Sequence, residues 1–188
     1  MAASHLILGG ARSGKSRYAL AQQPPNARVV FVATARPGDA DMVARIARHR
    51  AERPSGWTTV EAPRDLIGAL GRLPAADAVL VDCLTLWVAN HLVDGDPDET
   101  VLRAADDLAR LAARPPWTLT LVSNEVGEGV HPETAAGLRF RDLLGLVNQR
   151  IAAAAERVTF MVAGLPLTVK APALRPPFSS HDVAPQAP

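Results

Sequence analysis

The stretch GGARSGKS, residues 9–16, decides the fold, because it matches the phosphate-binding pattern G-x-x-x-x-G-K-[ST] at every fixed position. An apolar run, His5–Gly9, precedes it, and a helix is expected from Lys15 to about Gln23. In such a loop, backbone N–H groups surround a phosphate, the lysine neutralises its charge and the serine can bind Mg²⁺. The pattern predicts nucleotide contacts from Gly9, Gly10, Ala11, Arg12, Ser13, Gly14, Lys15 and Ser16.

Downstream of this loop, short apolar runs alternate with helical segments. Strands are expected at Arg28–Thr34, 57–63, Asp77–Cys83, 117–125, 157–163 and 165–170. One helix is expected from Asp39 or Asp41 to about Arg53, and a second helical segment begins at Leu84. Two further helices are expected at Asp98–Ala113 and at about Ala135–Glu156. Because the last two strands have no helix between them, the pattern predicts a three-layer α/β domain over residues 1–170, with a mostly parallel sheet and an antiparallel edge. Residues 171–188 are proline-rich and are expected to be poorly ordered.

The amino-acid composition limits the classes of molecule that the chain is expected to bind. Of the 188 residues, 20 are Lys or Arg and 19 are Asp or Glu, a formal net charge of +1. Such a balance gives no general attraction to nucleic acid or to acidic membranes. The single cysteine, Cys83, excludes an intramolecular disulfide and is expected to be an inert buried thiol. The first residues have no signal-peptide pattern and no membrane span is visible, so a cytoplasmic protein is expected.

An acidic residue ends the apolar run AVLVD, residues 78–82. An acid at the end of a strand next to a phosphate loop is a candidate Mg²⁺ partner, here Asp82 together with Ser16. Asp82 could instead cap the helix that begins at Leu84.

A histidine stands among four arginines in DMVARIARHRAERP, residues 41–54: Arg45, Arg48, Arg50 and Arg53. On a helix, Met42, Ile46, His49 and Arg53 form one stripe, so His49 could simply pack at the edge of the core. Several guanidiniums nonetheless suit a polyphosphate, because arginine offers paired donors to phosphate oxygens. The alternative hypothesis is that His49 attacks a phosphate and carries a phosphoryl or nucleotidyl group. No pair among the other histidines, His5, His91, His131 and His181, has zinc-ligand spacing.

Seven motifs occur in order and, taken together, resemble one family. They are GGARSGKS (9–16), VFVAT (30–34), RIARHRAERPSGWTTVEAP (45–63), VLVDCLTLWVAN (79–90), LVSNEVGEGVHPE (121–133), RFRDLLGLVNQRIAAAAERV (139–158) and VAGLPLTVK (162–170). The chain resembles the bifunctional adenosylcobinamide kinase/adenosylcobinamide-phosphate guanylyltransferases of cobalamin biosynthesis over about residues 5–170. It departs from that family at His131, where an apolar residue is common.

The resemblance implies a RecA-like P-loop NTPase fold and two reactions with ATP and GTP as substrates and Mg²⁺ as cofactor. A nucleoside triphosphate would phosphorylate adenosylcobinamide, and GMP from GTP would then pass to that phosphate through a guanylyl-histidine, which matches His49. The implied nucleotide contacts are Thr34, Ala35, Arg36, Arg50, Ala51, Glu52, Arg53, Glu61 and Asp82. Glu61 could bond a guanine edge or a ribose, or be only a solvated carboxylate. Members of the family tend to be trimers, so a homo-oligomer is expected.

Two other functions remain open at this point. A different P-loop small-molecule kinase would use His49 only to bind anions and would never be labelled by the α-phosphate. A RecA-like ATPase module acting on a macromolecule is disfavoured by the near-zero net charge and by the lack of a basic and aromatic surface pattern.

Overall fold

A computed structural model describes residues 2–172. Its strands are β1 (Ser4–Gly9), β2 (Val29–Ala33), β3 (Thr58–Glu61), β4 (Ala78–Asp82), β5 (Thr118–Val122), β6 (Arg157–Val162) and β7 (Leu165–Lys170). Its helices are α1 (Lys15–Ala21), α2 (Ala40–Ala51), α3 (Leu66–Leu70), α4 (Leu84–Val93), α5 (Asp98–Ala113) and α6 (Ala135–Ala154). The proline-rich segment that the sequence predicts to be poorly ordered lies, from residue 173 onward, outside the described residues.

The strands form one seven-stranded sheet in the order β3-β2-β4-β5-β1-β6-β7. All neighbours are parallel except β6 and β7, which pair antiparallel. This confirms the predicted α/β class with its antiparallel edge. The order matters for function, because the carboxyl ends of β1, β5, β4, β2 and β3 meet along one edge of the sheet.

Two apolar cores cover the two faces of the sheet, which explains why its central strands are almost continuously apolar. The larger core lies under α3, α4, α5 and α6 and includes Trp87, which is fully buried. The smaller core includes Ile7, Phe31, Leu80 and Val122, together with Ala19 of α1. The domain therefore has three layers, as predicted. Among residues 2–172, no helix is long and apolar enough to cross a membrane.

Helix α3 was not expected from the sequence. It is only five residues long, and its segment LIGAL contains a glycine, which weakens the local helix signal. Its start is fixed by Asp65, whose side chain accepts a hydrogen bond from the Gly68 N–H at 2.9 Å. Asp39 caps α2 in the same way, through the Met42 N–H at 2.8 Å.

The turn between β6 and β7 lies against the phosphate loop. Ala163 and Gly164 both have positive φ, 51° and 85°, as a two-residue hairpin turn requires. The Gly164 N–H donates to the Ser13 carbonyl at 3.0 Å. The antiparallel edge thus stabilises the loop that the opening motif predicts.

Candidate functional site

The phosphate loop joins β1 to α1, and its backbone can be built only with glycine at two positions. Gly9 has φ +150°, and a Cβ there would lie 2.6 Å from the Met161 carbonyl oxygen and 2.7 Å from Ser13 Oγ. Gly14, at the start of α1, has φ +94°. The Lys15 ammonium donates to the Gly10 carbonyl at 2.7 Å, so the lysine curls back over the loop. The loop presents backbone N–H groups and one cation together, which is the arrangement that binds phosphate.

A row of residues crosses the carboxyl edge of the sheet beside this loop. In strand register, Glu61 pairs with Ala33, Ala33 with Asp82, and Asp82 with Val122. All four line one cavity of about 340 Å³, which Lys15 and Ser16 close at the end nearest β1. A ligand pocket at this position is what a parallel sheet of this kind provides.

Asp82 lies against the phosphate loop, because its carboxylate accepts a hydrogen bond from Ser16. Burial raises its pKa, while a hydrogen bond from Ser16 and the charges of His49, Lys15 and Arg53 act in the opposite direction. The Ser16 hydroxyl and the Asp82 carboxylate together offer hard oxygen donors, the type that Mg²⁺ prefers. No cluster of three or more His, Cys, Asp or Glu side chains suited to a metal exists among residues 2–172, so phosphate oxygens would have to supply further ligands. The donor set fits Mg²⁺ held jointly with a nucleotide.

Helix α2 forms the opposite wall of the cavity. The stripe that its sequence predicts, Met42, Ile46, His49 and Arg53, lines the cavity together with Arg50. His49 is half-buried. The imidazole therefore faces the same space as Lys15, Ser16 and Asp82, although some thirty residues separate the two motifs.

Arg53 is fixed by packing against β2 and β3. Its guanidinium lies 3.6 Å from the centre of the Phe31 ring, and its Nη1 donates to Thr59 Oγ1 at 3.2 Å. Burial lowers the pKa of Arg53, against the charges of Asp82 and Glu61, which raise it. Its Nε is buried and, within residues 2–172, has no hydrogen-bond partner.

The turn after β2 contains three residues that the sequence predicts to contact the nucleotide. The structure places only one of them in the lining of the cavity. Ala35 lines the cavity. The Thr34 side chain is instead used within the fold, since its Oγ1 donates to the Cys83 carbonyl at 2.6 Å and accepts from the Cys83 N–H at 2.8 Å. Arg36 makes a two-pronged ion pair with Asp94, 2.7 Å on each prong, and is not part of the cavity lining.

The remaining predicted residues lie at the margins. Ala51 and Glu52 are exposed at the end of α2, and Ala11 and Arg12 are exposed on the outer side of the phosphate loop. Arg12 has φ 56°, so its backbone is in the left-handed region. None of the four lines the cavity.

Several cavity residues were not assigned a role from the sequence: Phe31, Ala33, Pro37, Thr59, Cys83, Thr85, Leu86, Val122 and Asn124. Asn124 had the clearest signal, because a polar residue just past the end of a buried parallel strand, here two positions after β5, lies at the ligand-binding edge. Cys83 is half-buried, and burial next to Asp82 raises its pKa to about 11, which agrees with an inert thiol. His131 is exposed and its ring lies 3.0 Å from Arg141.

Comparison with known proteins gives one family for the whole described domain. Residues 5–169 match the family model described as cobinamide kinase / cobinamide phosphate guanyltransferase. The bifunctional adenosylcobalamin biosynthesis protein CobP of Pseudomonas aeruginosa is 46% identical over 174 residues, covering 88% of this chain and 96% of that protein. The corresponding protein CobU of Salmonella typhimurium is 40% identical over 178 residues, covering 88% and 98%.

Solved structures with the same fold are more distant in sequence. An ATPase from the type III secretion system of pathogenic bacteria superposes with a TM-score of 0.52 at 12% identity, covering 88% of this chain and 56% of that one. The assembled ATPase EscN of enteropathogenic E. coli, in complex with its central stalk EscO, gives the same TM-score and identity, covering 85% and 42%. This chain spans about half the length of those ATPases, and the similarity shows a shared P-loop ATPase fold.

Proposed function

The chain belongs to the cobinamide kinase / cobinamide phosphate guanyltransferase family, and from that premise we propose that the cavity beside the phosphate loop serves both reactions, with His49 as the carrier of GMP. It is a transferase with two activities, cobinamide kinase and cobinamide phosphate guanylyltransferase. The observation that carries the proposal is that His49 lines the same cavity as Lys15, Ser16 and Asp82.

In the kinase step, the hydroxyl oxygen of adenosylcobinamide attacks the γ-phosphorus of a nucleoside triphosphate. The bond from that phosphorus to the β-phosphate oxygen breaks, and the hydroxyl proton is lost to solvent. The phosphate loop and Lys15 hold the β- and γ-phosphates, as in other phosphoryl transferases with this motif. Positioning and charge neutralisation provide most of the catalysis in such a step.

In the guanylyl step, an imidazole nitrogen of His49 attacks the α-phosphorus of GTP, and pyrophosphate leaves. A phosphate oxygen of adenosylcobinamide phosphate then attacks the same phosphorus, the P–N bond breaks, and adenosylcobinamide-GDP forms. Neighbouring strands lie about 4.8 Å apart, so β1 and β2 are separated by roughly 14 Å across β5 and β4. A triphosphate is shorter than that distance, so with its terminal phosphates at the loop the side chain of His49 would have to reach from α2 towards the α-phosphate. Arg50 and Arg53 then stabilise charge at the α-phosphate.

A magnesium ion would be held by Ser16 and Asp82 together with phosphate oxygens, where it neutralises the charge of the triphosphate. We propose either ATP or GTP for the kinase step and GTP for the second step. Glu61, exposed at the far end of the cavity, is proposed to accept a hydrogen bond from the guanine edge or the ribose. The enzyme is proposed to act in the cytoplasm.

A homo-oligomer, proposed as a trimer, is supported by the outer edge of the sheet. On β7, Leu165, Leu167 and Val169 alternate along the strand and are 71%, 59% and 63% exposed. An apolar row of this size on an edge strand is typical of an association surface. Light scattering on the wild type and on Leu167→Glu tests the proposal, since the variant is expected to have a lower mass.

The covalent step is tested by incubating the protein with Mg²⁺ and GTP labelled at either the α- or the γ-phosphate, followed by denaturation. The expected result is a protein-bound label from the α-position only, labile in acid and stable in alkali, as for a phosphoramidate. His49→Ala should lose it. His131→Ala is the matched control, because His131 is exposed and outside the cavity, and it should keep the label.

The absence of α-label from the wild type, or a label that survives His49→Ala, would overturn the covalent role. The protein would then transfer only the γ-phosphate, with His49 as an anion-binding group.

A further inference from the structure

We propose that Asn90 is a positioning residue for the nucleoside end of the cavity. This inference rests on the proposed binding of GTP, with its phosphates at residues 9–16 and its guanosine near Glu61. Asn90 lies in the last turn of α4 and is buried. Ala35, just past β2, and Glu61, at the end of β3, line the cavity on the side away from the phosphate loop. Asn90 is outside that lining, so it would act through these two residues.

The amide of Asn90 bridges the segments that follow β2 and β3. Its Nδ2 donates to the Thr34 carbonyl at 2.8 Å and to the Pro63 carbonyl at 2.7 Å. Thr34 directly precedes Ala35, and Pro63 is two positions after Glu61. Both hydrogens of the NH₂ group are used in this way. The bridge therefore sets the separation of the two segments that carry Ala35 and Glu61.

This bridge extends the pairing of the two strands beyond their ends. The Ala62 N–H donates to the Ala33 carbonyl at 2.8 Å. One residue further along each segment, the carbonyls of Thr34 and Pro63 are joined through Asn90 instead. Two carbonyls cannot bond each other, so a side chain with two donors is needed between them. An apolar side chain of similar size would leave both carbonyls without this donor, at a cost in free energy.

Other contacts join the same end of α4 to these segments. Trp87 Nε1 donates to the Arg64 carbonyl at 2.8 Å. Asp94 accepts from Arg36 at 2.7 Å and from Arg64 at 3.1 Å. These ion pairs are partly exposed, which limits their contribution, and Trp87 reaches the segment after β3. The buried Asn90 amide, in contrast, joins both segments.

The phosphate loop lies at a distance from this bridge. Strands β4 and β5 separate β2 from β1, which puts roughly 14 Å between β2 and the strand that leads into the loop. Groups more than about 10 Å apart usually contribute independently to a free energy. The loss of the Asn90 amide should therefore weaken binding of the guanosine part and leave binding of the phosphates almost unchanged.

The test compares Asn90→Ala with wild type for binding of GTP and of inorganic tripolyphosphate, both with Mg²⁺, by isothermal titration. Because misplacing a site by about 1 Å can cost about 100-fold, GTP binding should weaken by about 10-fold or more. Tripolyphosphate binding should change by less than about threefold. In labelling by α-labelled GTP, KM should rise while the maximal rate changes little, as for a loss of uniform binding.

Two further variants complete the comparison. Asn90→Asp keeps the size of the native side chain, and because burial keeps a carboxyl group protonated, it retains one donor. Its GTP affinity should lie between those of wild type and Asn90→Ala, and it replaces Asn90→Ala in the comparison if that variant does not fold. Thr159→Val is the control, because it removes a buried hydrogen bond, to His5 at 2.8 Å, outside the cavity. It should destabilise the fold and leave both affinities unchanged.

Equal losses of affinity for the two ligands, or no loss for either, would overturn the role of Asn90, because a general loss of structure does not distinguish them. The carrier role of His49 is judged separately, by the α-label on wild type. If wild type binds GTP and takes no α-label, that role fails, and the ratio of the two affinities still tests Asn90. A wild type that binds GTP and not tripolyphosphate would overturn the proposed phosphate site and this inference with it.

Discussion

Arg36 and Asp94 form a two-pronged ion pair, with both nitrogen–oxygen distances at 2.7 Å. Asp94 ends α4 and also accepts from Arg64 at 3.1 Å, so it would keep one partner if Arg36 moved away. The hydrogen bond from Arg36 holds the pKa of Asp94 below its ordinary value. The pair keeps the guanidinium of Arg36 out of a cavity that its neighbours Ala35 and Pro37 line.

If Arg36 is a nucleotide contact, it must exchange Asp94 for phosphate when the nucleotide binds. Asp94→Ala should then bind GTP as well as wild type or a few-fold tighter, because the competing carboxylate is gone. Arg36→Ala should weaken GTP binding by about 10-fold, the loss expected for a charge-assisted bond to phosphate. Isothermal titration on both variants decides this. Unchanged affinity in Arg36→Ala would restrict Arg36 to its ion pair.

Replacing Arg53 by lysine keeps the charge but removes the planar group above Phe31. Loss of that stacking and of the bond to Thr59 should reduce the free energy of unfolding by about 0.5–2 kcal/mol. The rate of labelling by α-labelled GTP should fall by about 10-fold or more, because lysine cannot present paired donors. Urea unfolding and initial labelling rates measure the two effects. A variant as active as wild type would show that Arg53 has only a packing role.

Gly9→Ala should abolish nucleotide binding, because its φ is +150° and the added methyl would lie 2.6 Å from the Met161 carbonyl oxygen. The control is Gly145→Ala in α6, where a Cβ meets nothing within 4 Å. That change should stabilise the fold by about 0.5–1 kcal/mol and leave nucleotide binding intact. Thermal unfolding with and without GTP compares the two. GTP-dependent stabilisation of Gly9→Ala would contradict the argument.

The free energy of unfolding should depend on pH in part through the protonation of His5. Burial, reinforced by the charge of Arg157, lowers the pKa of His5 from 6.5 to about 4. The unfolded chain therefore binds more protons than the folded chain between these values. This contribution is fully present above pH 6.5 and is lost as the pH falls towards 4.

His5→Gln tests this, because glutamine does not titrate and can still bond Thr159, which the imidazole contacts at 2.8 Å. Urea unfolding between pH 4 and pH 7.5 should show a smaller rise in stability with pH for the variant than for wild type. His131→Ala, at an exposed position, should keep the wild-type slope. Parallel curves for wild type and His5→Gln would exclude His5 as the source.

Asp82→Asn should separate stability from activity. Burial raises the pKa of Asp82, so removing its charge should leave the fold as stable as wild type or slightly more stable. Both activities should fall by about 100-fold or more, because the charge that would hold magnesium with Ser16 is lost. Magnesium titrations of γ-phosphoryl transfer measure this. Glu61→Gln, at the far end of the cavity, should keep the wild-type magnesium dependence.

The sequence by itself determined the seven strands and, among residues 2–172, every helix except α3, together with the chemistry that depends on local order. The phosphate loop is contiguous, so its glycines, Lys15 and Ser16 could be read from spacing alone. The stripe on α2 was also local, because helical periodicity fixes which side chains share a face. His49 and Arg53 were therefore predicted to lie together before their surroundings were known.

Only the tertiary structure decided which distant segments of the chain face one another. Strand order places Asn124, two residues past the end of β5, between the phosphate loop and Asp82, although these residues are far apart in the sequence. The same packing turns Arg36 towards Asp94, fifty-eight positions away in the chain. Hydrogen bonds and ion pairs between distant segments depend on how buried strands align. That alignment is set by the shared apolar core and not by the residues that meet at its edge.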